Sequence, residues 1–366
     1  MKQLTAALIL TLILSLPAWA VSPQEAAAWV ESVGGNFARN PAGEVVSVDL
    51  RNAWLTDADL ERLLAFPDLE YINLNYTKIT DLGIERIAPL EHVKRLDLYY
   101  TEYLTDAAIA HIKHWREIEH LNARGTKVSS TVFEHVSGMT KLRSLDVGFS
   151  RVTDEGFENL AGLEQLESLS FGGNKMSGVG LPLLKLLPAL RKLDVGGKQR
   201  TDSGLWSLAV TDFNVDSIAQ LDQLTELNLN QASLSDRGVA ALAALKNLEV
   251  LDLSQTSVTA RGIASLGPLS KLRRLRLGEN KGIDNGAAPF FKELKGLEVL
   301  EIPGTGLTGD GLAQLAAMTE LKRLYAAGTE LTAEHVAAFR AAAPQCELTW
   351  WPAREDFVGV EDEGMI

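Results

Sequence analysis

The side chains best suited to chemistry in this sequence are few. His111 and His114 stand at i and i+3, which sets two imidazoles on one helix face at a spacing able to ligate zinc. His120 follows closely, but it falls on a strand that faces the opposite surface, and no HExxH motif supplies a general base. The pair reads as a solvated helix face, so no metal and no cofactor is expected. Cys346 is the sole cysteine, which excludes an intramolecular disulfide framework and any Cys-rich zinc module. It is expected to be buried and to behave as a small hydrophobe. No GxSxG marks a serine nucleophile, and no GxxxxGK[ST] or strand-coupled GxGxxG marks a phosphate loop. The reading is non-enzymatic; a metal-dependent enzyme using the His111 and His114 region is the weakest alternative.

The elements that position these residues repeat. The stretch Leu69 to Val93, LEYINLNYTKITDLGIERIAPLEHV, joins a short period-2 strand (Leu69, Ile72, Leu74) to an apolar helix face (Ile84, Ile87, Leu90). Neither can bury itself alone, so such units must stack. Their first apolar positions run Val45, Leu69, Val93, Ile118, Leu142, Leu166, Leu190, Leu224, Leu248, Leu272, Leu297 and Leu321, twelve repeats in all. The step is 24 residues eight times, 25 twice, and 34 from Leu190 to Leu224, so one unit carries a ten-residue insertion. We place it at Ala209 to Gln220, leaving the solenoid edge and rejoining at the same point.

LNYTKITDLGIERI, LDVGFSRVTDEGFENL, LNLNQASLSDRGVAAL and LDLSQTSVTARGIASL carry a resemblance to leucine-rich repeats, of the subclass with Thr or Cys at the ninth position and a T-D-x-G-L helix start. Such repeats are similar to those of F-box substrate receptors and of exported bacterial proteins. The resemblance covers residues 45–344 and implies an α/β fold, a curved leucine-rich repeat solenoid with parallel strands on its concave face and helices on its convex face. It implies no catalytic residues.

Columns within the repeat have physical causes of their own. Thr56, Thr80, Thr105, Ser129, Thr153, Ser177, Thr201, Ser235, Thr259, Thr308 and Thr332 precede the helical stretches, where a hydroxyl accepts from an orphan N–H. Asp57, Asp81, Asp106, Asp154, Asp202, Asp236 and Asp284 follow, favoured by the positive end of the helix dipole. Glycines at 83, 156, 180, 204, 238, 262, 286 and 311 sit where glycine weakens a helix, which points to crowding between neighbouring repeats.

Around the array, residues 1–20 combine Lys2, an apolar run and Ala18-Trp19-Ala20, the pattern of a cleaved signal peptide. Residues 21–44 read as a capping helix opened by Ser22-Pro23 and a hairpin over the first sheet edge. Residues 345–366 read as a last strand, Trp350 and Trp351 closing the core, and an acidic tail. The signal and the scarcity of cysteine suggest a secreted or periplasmic bacterial protein with no membrane span once the signal is removed.

The net charge of −13 disfavours nucleic acid unless one face gathers basic residues, and no such face is evident. Strand alternation sends the third, fifth and seventh positions of each repeat to the concave face, where seven basic and seven acidic residues balance. That balance suits a protein or peptide ligand. Aromatic residues crowd the early repeats, so the candidate binding residues are Tyr71, Tyr76, Arg95, Tyr99, Tyr100, His120 and Phe149, beside a low glycine floor at 148, 172, 173, 196 and 197. The expected function is therefore a non-enzymatic protein- or peptide-binding module exported from the cytoplasm. The alternative from another class is a ubiquitin-ligase-like substrate receptor, which the leader disfavours. The partner and the oligomeric state stay open at this level.

Overall fold

The computed structural model describes residues 21–201 and 204–352. Residues 1–20, read above as a signal peptide, Asp202 and Ser203, and residues 353–366, read above as an acidic tail, lie outside the described residues. Fourteen strands form one continuous sheet: an antiparallel strand Asn36–Arg39, twelve parallel repeat strands from Val45–Asp49 to Arg323–Tyr325, and a closing strand Glu347–Thr349. Each repeat strand pairs in register with the next, as Tyr71 with Arg95 and Arg95 with His120. The fold is an α/β solenoid, with the sheet on one side and short helices on the other.

Burial follows the repeat. Leu69, Ile72, Leu74, Ile84 and Ile87 are fully buried, and the same positions recur along one core. The ninth position solves a polar problem, since strand-end carbonyls in that core need donors. Thr77 and Thr101 both donate to the Leu74 carbonyl, at 2.7 and 2.9 Å. Asn174 goes further, donating to the Val147 and Phe171 carbonyls while accepting from the Ser150 and Val152 amides. Ser22 and Glu25 make a reciprocal cap on the helix Pro23–Ser32, and Cys346 is buried, its thiol pushed up to about 11 by burial.

Several expectations need correction. Residues 209–220 are not an excursion: Val210, Val215 and Ile218 are fully buried, and Asp216–Ala219 is the repeat's helix. The ten extra residues are instead an antiparallel hairpin, Lys198–Thr201 against Gly204–Ser207. Thr201 is thus a strand residue rather than a cap, and nothing among the described residues crowds Gly204. Thr211 and Asp212 occupy the columns assigned to Thr201 and Asp202. At Thr153 and Ser177 the helical turns start later, at Phe157 and Leu181, and both are 3-10 in form. Asp284 is itself the cap of its turn. At the C-terminal end Trp350 packs on the core, whereas Trp351 is exposed.

Candidate functional site

The acids that follow the caps do more than meet a helix dipole. Asp57 accepts from both the amide and the hydroxyl of Thr80 in the next repeat, each at 2.7 Å. Asp81 with Thr105, Asp106 with Ser129, Asp154 with Ser177, Asp212 with Ser235 and Asp236 with Thr259 repeat the clamp. Gly83, Gly238 and Gly262 of the glycine column are crowded by these same carboxylates: a Cβ on Gly262 would lie 2.5 Å from Asp236 Oδ1. The segments between each strand and its helix are therefore held rigidly, and they make one rim of the solenoid.

The eighth position of every repeat lies on that rim in the left-handed backbone region. Asn52, Tyr76, Tyr100, Phe149, Gln231, Gln255 and Glu279 have φ between 51° and 64°, and glycine fills the other five places. For a bulky aromatic residue this conformation costs about 1–3 kcal/mol. Tyr76, Tyr100 and Phe149 accept that cost where glycine would avoid it.

Their rings gather with others. Tyr76 packs edge-on to Tyr99 with centroids 5.2 Å apart and stacks on Tyr100 at 6.0 Å, while Tyr99 and Tyr100 meet at 4.7 Å. On the adjoining concave strands, Tyr71 donates from its hydroxyl to Asp97 at 2.9 Å, and Arg95 bonds the same carboxylate while lying over the Tyr71 ring. Burial and the bond to Asp97 raise the Tyr71 phenol above its ordinary value. His120 is half-buried beside Arg95 on the next strand.

Phe149 stands apart from the tyrosines. Arg124 lies over its ring at 4.5 Å and also reaches Ser170, Asp146 and Asp194. Burial raises both carboxyls, and the guanidinium between them opposes that rise. The glycine floor is not open: Cβ atoms on Gly173 and Gly197 would strike the Phe149 ring, and one on Gly125 would strike Tyr100. The glycines make room for rings projecting from earlier repeats. The structure thus brings Tyr71, Arg95 and His120 into one row and Tyr76, Tyr99 and Tyr100 into one cluster, with Phe149 on a separate cation-covered step.

Sequence reasoning missed how uneven the two rims are. The exposed large apolar side chains include Trp54 at 84%, Tyr103 at 50% and Phe213 at 83%, and all but Leu64 lie between a strand and its helix, in the helix's first turn, or after the last strand. A column of cations that the sequence reading did not single out is also there. Lys78, Lys127, Arg151 and Lys175 share the tenth position of their repeats, with Lys78 over Trp54 at 4.7 Å and Lys127 over Tyr103 at 5.3 Å. Spacing by 24 or 25 residues was the available signal. His111 and His114 belong to neither feature; His114 bonds the Ala88 carbonyl at 3.1 Å on the far side.

Fold and surface together define a class, a rigid curved scaffold that displays side chains from a repeated frame. The fold is the leucine-rich repeat. The Leucine Rich repeat family model matches residues 67–88, 138–161 and 224–243. Among solved structures, an internalin from Listeria monocytogenes is similar with a TM-score of 0.58 and 19% identity, over 89% of this chain and 94% of its own. An internalin C2 from the same species gives a TM-score of 0.44 and 22% identity, over 60% of this chain and 84% of its own. A leucine-rich-repeat protein from Leptospira interrogans gives 0.43 and 19%, over 80% and 87%. No curated protein matches the sequence significantly. Among the described residues no helix is long and apolar enough to cross a membrane.

Proposed function

We propose that this chain is a non-enzymatic, exported binding module that takes a protein or peptide partner on the concave face of its early repeats. Tyr71, Tyr76, Arg95, Tyr99, Tyr100, His120 and Phe149 form the contact surface. One observation carries the reading: at the edge of that face Tyr76 and Tyr100 hold rings in the left-handed region and join them to Tyr99 in a cluster in which Tyr76 is exposed and Tyr99 and Tyr100 are half-buried. A scaffold is served there by glycine, as five other repeats show. Strain kept at a surface position is a pointer to function, and tyrosine offers large contact area at small entropic cost. Arg95 and His120 add polar groups beside the rings, the mixture that fixes orientation in interfaces. Export rests on the leader pattern at residues 1–20.

The test selects binders from a displayed random dodecapeptide library on the intact chain, then measures the selected peptides against Tyr71→Ala/Tyr99→Ala. Affinity is expected to fall by about 2 kcal/mol, roughly 30-fold, with a small change in urea midpoint. Unchanged affinity together with a clear loss of stability would assign the rings to the scaffold.

A further inference from the structure

We propose that the strand-to-helix rim, from Lys78 through Lys127, Arg151 and Lys175 to Lys198 and Arg200 of the hairpin, is a docking surface for an acidic polypeptide segment. It deepens the reading above and rests on it in one respect, that the partner is a polypeptide. The new content is the partner's charge and the place where that charge lands.

The first ground is pairing. Among the described residues none of these six cations makes an ion pair. On the opposite rim Lys94, Lys141, Arg143, Arg273 and Lys322 are each held by a glutamate within 2.5–2.7 Å. The chain's net charge is −13, yet the aspartates of this rim are turned to the cap residues of neighbouring repeats, and among the described residues none pairs with these six cations. The second ground is spacing. Adjacent repeat strands stand about 4.8 Å apart, so neighbouring cations of the column act together within the Debye length of about 8 Å.

The third ground selects a polypeptide over a uniform polyanion. Apolar groups are interleaved with the charges: Tyr103 beneath Lys127, and Leu205 exposed on the hairpin. Glu102 interrupts the column and Glu155 flanks it, and both are exposed. A uniformly charged polymer gains nothing from the rings and is repelled at the glutamates, whereas an acidic peptide with apolar residues uses both. The hairpin bounds this surface. Gln199 donates to the Ser150 carbonyl two repeats back, so the hairpin leans toward Phe149 and the tyrosines.

The experiment follows a fluorescein-labelled random copolymer of glutamate and tyrosine by anisotropy, using the full chain at low and physiological salt. Saturable binding that weakens with salt is expected, with at least a tenfold loss in Lys127→Glu/Arg151→Glu/Lys175→Glu and a smaller loss in the corresponding triple glutamine variant. Lys94→Glu/Lys141→Glu on the other rim is expected to stay within twofold of wild type. The proposal is overturned if the copolymer does not bind, if the charge-reversed rim binds it as wild type does, or if inorganic polyphosphate binds as tightly. Failure here is separable from failure of the tyrosine site: library peptides lost in Tyr71→Ala/Tyr99→Ala while the copolymer ignores the rim triple refute the rim alone.

Discussion

Along the helix-to-strand rim, neighbouring repeats meet through exposed ion pairs such as Lys94 with Glu70 and Lys141 with Glu117. Along the strand-to-helix rim, six repeats grip the next through an aspartate that accepts two hydrogen bonds from a hydroxyl residue, and at Gly83, Gly238 and Gly262 a glycine makes space for that aspartate. The two fastenings differ in strength. Exposed pairs contribute up to about 1 kcal/mol and are screened by salt, while bonds to a fixed carboxylate contribute about 1.5–3 kcal/mol. A rim that carries unpaired cations and strained rings is the rim most firmly clamped. Its clamps leave the outward positions free to vary.

The comparison breaks most easily where backbones touch. A Cβ on Gly172 would overlap the Gly196 carbonyl oxygen, so Gly172→Ala is expected to cost about 3 kcal/mol in urea unfolding, through overpacking that no rotamer relieves. Next comes Asp212→Ala, which strips the clamp from Ser235 and Gly238 and is expected to cost about 2 kcal/mol. Gly262→Ala pushes Asp236 from its clamp and should cost about 1–2 kcal/mol, most of it absent in an Asp236→Ala background. At the small end, Lys141→Ala should change stability by at most about 0.5 kcal/mol, because its pair with Glu117 is exposed. A Lys141 effect as large as that of Asp212 would erase the distinction between the rims.

Acidity sharpens it further. Burial alone would raise the Asp212 carboxyl, but hydrogen bonds from Ser235 and Gly238 and the charge of Arg237 together outweigh burial and hold it below its ordinary value. Its stabilisation is thus present above the ordinary carboxylate range and is lost as pH falls through the lowered value, so the Asp212→Ala deficit should shrink in acid. Asp194 on the concave face is raised by burial, and the sign reverses: its favourable contribution is complete below the ordinary range and is lost as pH rises through the raised value. Asp194→Asn is therefore expected to equal wild type at low pH and to exceed it slightly at neutral pH, by less than about 1 kcal/mol, in unfolding measured across pH. Arg124 keeps Asp146 as a partner in that variant.

Much of this was legible because the repeat writes its own register. Leu69, Ile72 and Leu74 announce a strand by period, and Val93, Leu96 and Leu98 announce the next at the same spacing, until only one ordering of strands is possible. The hairpin was misplaced for a definite reason. Thr-Asp occurs at 201–202 and again at 211–212, ten residues apart, and either choice preserves the downstream frame. The first resembles the consensus more closely, with Gly204-Leu205 behind it, but burial of Val215 and Ile218 selects the second. The glycine floor was misread because a strand pattern says which way a side chain points and not how far a neighbour's ring leans. That Phe149 covers Gly173 and Gly197 is a fact about two later repeats. The basic column was hidden by the opposite error, since net charge averages over faces that the fold separates.

The in-register sheet also sets a metre for whatever lies along it. Parallel strands advance about 4.8 Å from one repeat to the next, whereas an extended chain shows same-side residues about every 6.8 Å. The two rulings coincide only after about seven repeats against ten residues, like a vernier. Between coincidences a guest meets each strand at a different phase. Flat rings and long flexible cations tolerate such drift better than narrow pockets do, and these are the side chains that the early repeats display.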